Sequence, residues 1–227
     1  MLKSLEDAIK YRGLLFLEVF EAKNQEGILS LEVSDGFTWY SNWSLDSGVP
    51  PIKSFLVRRI ADSAHVFLAI KDAMIVGFAV VIVWPKLPGC KMLEAIEVAK
   101  TFRGGGVGTK LMSAVVGNLD DLLILTALPE AGHEEDLLKF YRQFGFIVLT
   151  RSEVRPAIMA RLPNDLEKLK TLMGSVEKSF EDYSYERFNT KSVLPIWGRR
   201  YAPWLNYDYD IFISLEKEIK SILDKIG

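Results

Sequence analysis

Eleven consecutive residues at 74–84, MIVGFAVVIVW, are apolar or glycine and rich in β-branched side chains. A strand that is apolar on both faces has to be covered on both sides by other elements. The preceding HVFLAI and the turn-like Lys71-Asp72-Ala73 predict a hairpin whose second strand lies centrally under helices. The run is far shorter than the roughly 20 residues that span a bilayer. It therefore indicates the core of a layered protein.

Strand and helix patterns alternate after this hairpin. The helix patterns repeat their apolar residues every three or four positions, and the strand patterns are short and β-branched. The order is strand KMLEAIEVAK, helix GVGTKLMSAVVGNL, strand LLILTAL, helix EEDLLKFYRQF ended by Gly145, and strands FIVLTR and AIMARL. This alternation predicts an α/β or layered α+β architecture for residues 65–162.

The two ends of the chain are less regular. Residues 1–64 begin with an amphipathic helical pattern, ILSLEV at 28–33 alternates like a short strand, and residues 52–64 are helical in pattern. Residues 163–227 contain two amphipathic helices, one starting at Asp165 and one over 209–226, separated by the irregular, aromatic VLPIWGRRYAPWLNYDYD. We expect the chain to divide into a domain at 1–162 and an extension at 163–227. The aromatic rings either pack the extension onto the body, line a substrate pocket or form a dimer contact.

Composition excludes several classes of function. The 28 basic and 30 acidic residues nearly balance, which argues against a nucleic-acid binder with a basic surface. Cys90 is the single cysteine, so an internal disulfide and a thiolate metal site are excluded, and we expect no metal. Glu6 and Asp7 interrupt the apolar stretch that a signal peptide needs. These features predict a soluble, cytoplasmic protein without a membrane or nucleic-acid partner.

Four glycines cluster in RGGGVGTK at 103–110, between a predicted strand and a predicted helix. A P-loop is excluded because Lys110 follows Thr109 and precedes Leu111. A dinucleotide-binding fingerprint fits poorly because its third glycine is missing. Small residues let main-chain N–H groups approach an anion, and the helix that follows presents its positive end to it. The cluster therefore predicts an anion site, to which Arg103 adds a charge-assisted bond.

The segment IEVAKTFRGGGVGTKLM resembles the pyrophosphate-binding motif of the GNAT superfamily of acyl-CoA-dependent N-acyltransferases, with Arg103, Gly106 and Gly108 in the matching positions. Lys100 stands where many members have proline. A second block, LLKFYRQFGF, is similar to a later motif of the family through Tyr141, Gly145 and Phe146. The resemblance covers residues 65–162 and implies a mixed, mostly antiparallel central sheet flanked by helices, here followed by a helical C-terminal extension.

The resemblance also implies acetyl-CoA as co-substrate and an amine as acceptor, which attacks the thioester directly. Main-chain groups around Val98 would bind the pantetheine arm, although Glu134 stands where many members carry an asparagine that contacts it. Tyr141 would give a proton to the leaving thiolate; the alternative is that it is a core aromatic. The implied pyrophosphate contacts are the main-chain amides of Arg103, Gly104, Gly105, Gly106, Val107, Gly108 and Thr109.

Two carboxylates on the strand that ends at Val98 are candidates for the base that takes the ammonium proton. Glu94 ranks first, because some polyamine-acetylating relatives carry a glutamate at its spacing from Val98, and Glu97 ranks second. Their odd separation sends them to opposite faces of a regular strand unless a bulge intervenes. The alternative is that both are solvent-facing charges. Cys90 has no partner pattern of a nucleophile.

The leading hypothesis is an acetyl-CoA-dependent N-acetyltransferase with a tyrosine acid and a glutamate base. The alternative is a non-catalytic acyl-CoA-binding module whose C-terminal extension mediates protein interaction or homodimerisation. A nucleotide-phosphate enzyme is a third hypothesis, weakened by the failed P-loop spacing. The sequence leaves the acceptor amine and the preferred acyl chain open.

Overall fold

The computed structural model describes residues 17–37, 51–128, 132–152, 155–190 and 203–226. The chain divides into two compact units, Met1–Val83 with Met92–Leu119, and Trp84–Lys91 with Asp120–Gly227. The predicted N-terminal amphipathic helix and residues 193–202 of the aromatic segment lie outside the described residues. The predicted boundary between residues 162 and 163 stays a prediction.

The first unit is built on antiparallel strands with one short parallel addition. Its strands follow the order β1-β3-β4-β5, and β2 pairs in parallel with β4. Residues 75–81 of β4 are all buried, as its two apolar faces predict. The elements in chain order are β1 (Glu18–Ala22), α1 (Gln25–Leu29), β2 (Glu32–Val33), α2 (Pro51–Ala61), β3 (His65–Lys71), β4 (Met74–Val83), β5 (Cys90–Val98) and α3 (Val107–Asn118).

The predicted hairpin is confirmed as β3 and β4, which pair antiparallel. Asp72 and Ala73, between the two strands, both have positive φ, at 54° and 60°. Two such residues in succession make the tight turn whose twist matches that of the flanking strands.

The predicted strand at 28–33 is wrong for most of its length. Residues 25–29 form α1, and β2 is only two residues long. The Asn24 side chain accepts a hydrogen bond from the Gly27 N–H at 2.9 Å and so caps the helix. Ile28 and Leu31 are both buried. They are three residues apart, and residues at this spacing lie on the same face of a helical turn.

The second unit combines three antiparallel strands with three helices. Its strand order is β6-β8-β7, and each pairing is antiparallel. Gly145, with φ of 83°, ends the helix before β7 as predicted. The elements are β6 (Leu122–Ala127), α4 (Glu134–Arg142), β7 (Ile147–Ser152), β8 (Arg155–Arg161), α5 (Leu166–Thr190) and α6 (Pro203–Ile226). Mostly antiparallel strands with flanking helices confirm the predicted fold class.

The C-terminal extension is helical, as predicted. The Asp165 side chain accepts from the Lys168 N–H at 2.9 Å and caps α5. The last helix begins at Pro203 rather than near Tyr209, so the prediction of irregular structure is wrong for the residues between them; proline is favoured at a first helical position. Its apolar face is covered within the second unit, where the Phe212 ring lies 5.9 Å from that of Trp84. None of the described helices is long and apolar enough to cross a membrane.

Candidate cofactor site and catalytic residues

The glycine-rich turn lies in the first unit, between a short 3-10 helix at Lys100–Phe102 and the first turn of α3. Gly104 and Gly106 have φ of 76° and 77°, a conformation that other residues adopt at a cost of about 1–2 kcal/mol. A Cβ atom at either position would meet nothing within 4 Å. Backbone conformation, rather than packing, therefore requires these two glycines. The turn from Arg103 to Gly106 is exposed.

The start of α3 has free main-chain donors. Gly106 is the N-cap residue, and no side chain among the described residues caps the helix. The first four N–H groups of a helix have no acceptor within it, and here they belong to Gly106, Val107, Gly108 and Thr109. No acidic residue lies in the first turn. An exposed turn, N–H groups without a cap and the positive helix end suit an anion, and the pyrophosphate that the resemblance implies stays a prediction.

The Arg103 side chain folds back on the end of β5. Its Nε donates a hydrogen bond to the Val98 carbonyl oxygen at 3.0 Å. This bond joins the turn to the residue whose main chain is expected to bind pantetheine. The Val98 carbonyl keeps a second lone pair, because a carbonyl oxygen has two. A bond from Arg103 to the anion stays a prediction.

Two further contacts hold the flanks of the turn, and neither could be predicted from the sequence. The Lys100 N–H donates to the Gly36 carbonyl at 3.1 Å. Nζ of Lys110, in the first turn of α3, donates to the Leu17 carbonyl, also at 3.1 Å. The backbone of Lys100 and the ammonium of Lys110 are therefore both bonded to main-chain carbonyls in the N-terminal part of the first unit.

Gly77 in the middle of β4 lets α3 pack closely on the strands. A Cβ there would lie 3.1 Å from Leu111 Cδ1, 3.2 Å from Val107 Cγ1 and 3.2 Å from the Glu97 carbonyl oxygen. Sequence reasoning missed this role, although a glycine inside a strand often marks a close approach of another element.

The β4–β5 hairpin has one extra residue on β5. The Trp84 N–H donates to the Cys90 carbonyl at 2.9 Å, and the Ala99 N–H donates to the Val76 carbonyl at 3.0 Å. Trp84 is eight residues from Val76, whereas Cys90 is nine residues from Ala99. Such an extra residue constitutes a β-bulge, and it alters which side chains share a face. The extra residue lies between Cys90 and Ala99, the stretch that contains both glutamates.

Glu94 and Glu97 both lie on the α2 side of β5. The Glu94 carboxylate forms an ion pair with Arg59 of α2, a partner that the sequence did not indicate. Glu97 alternates with Ala95 and Ala99, which belong to the apolar cluster that α2 also enters. Glu97 is only 7% exposed, and the Glu94 side chain 19%. Neither is a solvent-facing charge.

Tyr141 lies on α4 in the second unit and is 5% exposed. The centroid of its ring is 5.2 Å from that of Phe140 and 5.8 Å from that of Phe146. Burial raises the pKa of the Tyr141 phenol. The hydroxyl is therefore protonated over the physiological range, as a proton donor has to be. The ring is also a core aromatic, so its two expected roles are compatible.

Glu134 is the first residue of α4, and its Oε1 accepts from the Gly132 N–H at 3.2 Å. Acidic residues in the first turn of a helix complement its dipole. The side chain thus has a local role in starting the helix. Its position where other members carry asparagine has no further structural account.

Cys90 has the environment of an inert thiol. It is buried, and burial, with a smaller effect of the Asp121 carboxylate, raises the pKa of its thiol. Because the thiolate is the reactive form, we expect the native protein not to react with a thiol reagent, and the unfolded protein to react fully. Reaction at the same rate in both states would contradict this assignment. The measurement is label incorporation by mass spectrometry.

Residues 62–148 match the sequence profile of the acetyltransferase (GNAT) domain. Among solved structures, an acetoin utilization protein from Exiguobacterium sibiricum is 16% identical, with a TM-score of 0.51 over 70% of this chain and 94% of that chain. A GNAT-family acetyltransferase from Staphylococcus aureus is 17% identical, with a TM-score of 0.42 over 64% and 98%. The PaiA N-acetyltransferase from Thermoplasma acidophilum, in complex with coenzyme A, is 15% identical, with a TM-score of 0.42 over 64% and 99%.

No curated protein matches the sequence. The likeness to the Exiguobacterium protein shows a shared fold, and the matching profile spans both motif blocks, with the glycine turn and Tyr141. Residues 62–148 therefore carry the sequence pattern of an acetyltransferase (GNAT) domain, and this match indicates an acyltransferase.

Proposed function

We propose that the protein is an N-acetyltransferase that moves an acetyl group from acetyl-CoA to an amine. The observation that carries this proposal is the exposed glycine turn at the uncapped start of α3, within a domain of the GNAT family. Its main-chain donors suit the pyrophosphate of acyl-CoA without a basic surface, which agrees with the nearly balanced charge of the chain.

The cofactor contacts follow the course of the chain. Main-chain amides from Gly104 to Thr109 bind the pyrophosphate, since the Arg103 N–H already donates to the Lys100 carbonyl oxygen at 3.3 Å, and main-chain groups of Val98 bind the pantetheine arm. When bound, acetyl-CoA supplies the acetyl group as a thioester, whose carbonyl carbon an amine attacks. Arg103 keeps the turn and the strand end together through its bond to Val98.

Two proton transfers complete the reaction. The acceptor arrives as an ammonium and loses a proton to a carboxylate of β5, Glu94 or Glu97. Tyr141, whose phenol is protonated, gives a proton to the thiolate that leaves.

The experiment is release of free thiol from acetyl-CoA with a panel of alkyl, aryl and peptide amines, together with melting temperatures in acetyl-CoA and longer acyl-CoAs. A ligand that binds only the native state raises the melting temperature. Turnover with an amine supports the enzyme. Stabilisation by acyl-CoA without turnover on any amine would instead support the non-catalytic module, and no stabilisation would contradict both.

The compartment and oligomeric state belong to the same proposal. A single, buried cysteine fits a reducing cytoplasm, where we place the protein.

The apolar face of α6 is covered within one chain, which favours packing of the extension on its own unit over a homodimer. Sedimentation of the full chain tests this, and a dimer at micromolar concentration would contradict it.

Gly105 offers a test of the turn that leaves the fold intact. Its φ is not positive, and a Cβ there would meet only the Phe102 carbonyl oxygen, at 3.5 Å. We expect Gly105→Ala to leave the melting temperature unchanged but to weaken acetyl-CoA binding about tenfold or more, because the methyl group occupies space that a closely bound anion needs. Calorimetric titration measures the affinity.

Gly117→Ala is the matched control, because Gly117 lies on α3 with nothing within 4 Å of its Cβ position. It should raise stability by about 0.5–1 kcal/mol and leave acetyl-CoA affinity unchanged. Equal affinities for both variants would remove the turn from the cofactor site.

A further inference from the structure

Arg59 of α2 is held by three partners. Its Cζ lies 5.3 Å from the centroid of the Phe55 ring, and its Nη1 donates to Asp62 Oδ2 at 3.1 Å. Its Nη2 donates to Glu94 Oε1 across to β5. The side chain is 24% exposed. A guanidinium with an aromatic face and two carboxylates around it has one preferred position.

Glu94 forms an ion pair with this guanidinium. Its Oε1 accepts from Arg59, and its Oε2 is enclosed without a hydrogen-bond partner among the described residues, as is Arg59 Nε. These two atoms belong to the same ion pair, and a planar guanidinium can serve both oxygens of a carboxylate through Nε and Nη2. The Glu94 carboxylate is thus committed to Arg59, because accepting a proton from a substrate would break the ion pair.

Glu97 differs from Glu94 in its place on the strand. It lies three residues nearer the glycine turn and directly precedes Val98, whose main chain is the proposed pantetheine contact. It alternates with Ala95 and Ala99, which pack on the α2 side of β5, and α2 also carries Arg59 of the ion pair. A bulged strand lacks part of its regular pairing, so its position depends more on side-chain contacts.

We propose that Arg59 is a positioning residue for acyl transfer: through Glu94 it clamps the bulged part of β5 to α2 and so fixes Glu97, which takes the proton of the acceptor ammonium. This rests on the proposed function. One N–H bond of the ammonium breaks, the proton goes to a Glu97 carboxylate oxygen, and the nitrogen lone pair becomes free to attack. Of the two glutamates, Glu97 is the catalytic one and Glu94 belongs to the clamp.

Turnover in a double-mutant cycle tests the clamp. We expect Glu97→Gln to lower kcat about 100-fold or more, and Arg59→Met about tenfold, each with an unchanged KM for acetyl-CoA. In the Glu97→Gln background, Arg59→Met should lower kcat by less than about twofold, because it acts through Glu97. Arg58→Met, on the same helix at an exposed position, is the control and should change nothing.

Additive losses in the cycle would mean that Arg59 acts on the fold in general, and would overturn the proposal, as would full turnover of Arg59→Met. Methionine keeps the apolar stem but leaves Glu94 without its cation, which destabilises a buried pair. Should that variant not fold, Arg59→Lys keeps the charge without the fork. It should recover part of the activity and follow the same cycle.

Amide hydrogen exchange separates this proposal from the proposed function. Exchange in residues 94–98 should speed up in Arg59→Met or Arg59→Lys and stay unchanged in Arg58→Met, whether or not any amine is acetylated. Unchanged exchange in β5 overturns the clamp by itself. Faster exchange together with a wild-type protein that acetylates no amine leaves the clamp standing and overturns the function.

Discussion

Tyr141→Phe should lower kcat about 10²–10⁴-fold, the range that a well-placed proton donor contributes. Acetyl-CoA affinity should change little, because the proposed cofactor contacts are main-chain groups of another segment. The substitution removes one hydroxyl and keeps the ring that packs against Phe140 and Phe146. Stability should therefore be nearly unchanged. Steady-state kinetics with thiol detection and calorimetric titration of acetyl-CoA measure the two quantities.

The role of Tyr141 as proton donor also predicts how kcat depends on pH. Since burial raises the pKa of Tyr141 above its ordinary value near 10, its deprotonation cannot cause a fall in kcat below about pH 10. Phe140→Leu, which changes the neighbouring ring but keeps the hydroxyl, is the control and should keep most of its turnover. Tyr141→Phe with wild-type kcat would remove the hydroxyl from the mechanism.

Gly77→Val should be among the most damaging single substitutions in the first unit. The position of a Cβ at Gly77 is 3.2 Å from the Glu97 carbonyl oxygen, a main-chain atom that cannot rotate away. Overpacking of this kind costs about 1–3 kcal/mol, and the two additional methyl groups of valine put the expected loss at about 3 kcal/mol or more. Urea denaturation measures it.

Acetyl-CoA binding should fall with stability in Gly77→Val, because Val107 and Leu111, which the new side chain displaces, lie in the first turns of α3. Gly77→Ala adds only the Cβ and should give a smaller loss of both. A valine variant as stable as the wild type would show that α3 can move away from β4 without cost, and would contradict the account of Gly77.

How much of this site the sequence predicts depends on the range of the interactions. The β3–β4 hairpin, the glycine turn and Tyr141 on its helix are local patterns, and the structure places them in those elements. The failure at 28–33 is also local: Asn24 is a cap residue, and its signal competes with an alternation that is only a few residues long.

The Arg59–Glu94 pair could not be predicted, because its residues are 35 positions apart and meet only when α2 packs on β5. Likewise, the bulge depends on the register in which β4 and β5 pair, and the pattern of a single strand does not determine that register. The close packing at Gly77 could have been predicted in part, because a glycine inside a buried strand often marks the close approach of another element. The sequence could not say which element approaches it.

The three anchors of the glycine turn bear on the energetics of binding. Gly-rich segments lose more conformational entropy on ordering than others, and a turn that ordered only around its ligand would subtract that loss from the affinity. Here the bonds from Arg103 to Val98, Lys100 to Gly36 and Lys110 to Leu17 order the turn during folding. The donors at the start of α3 are thus preorganised, so that the binding energy of the anion goes into affinity rather than into arranging the chain around it.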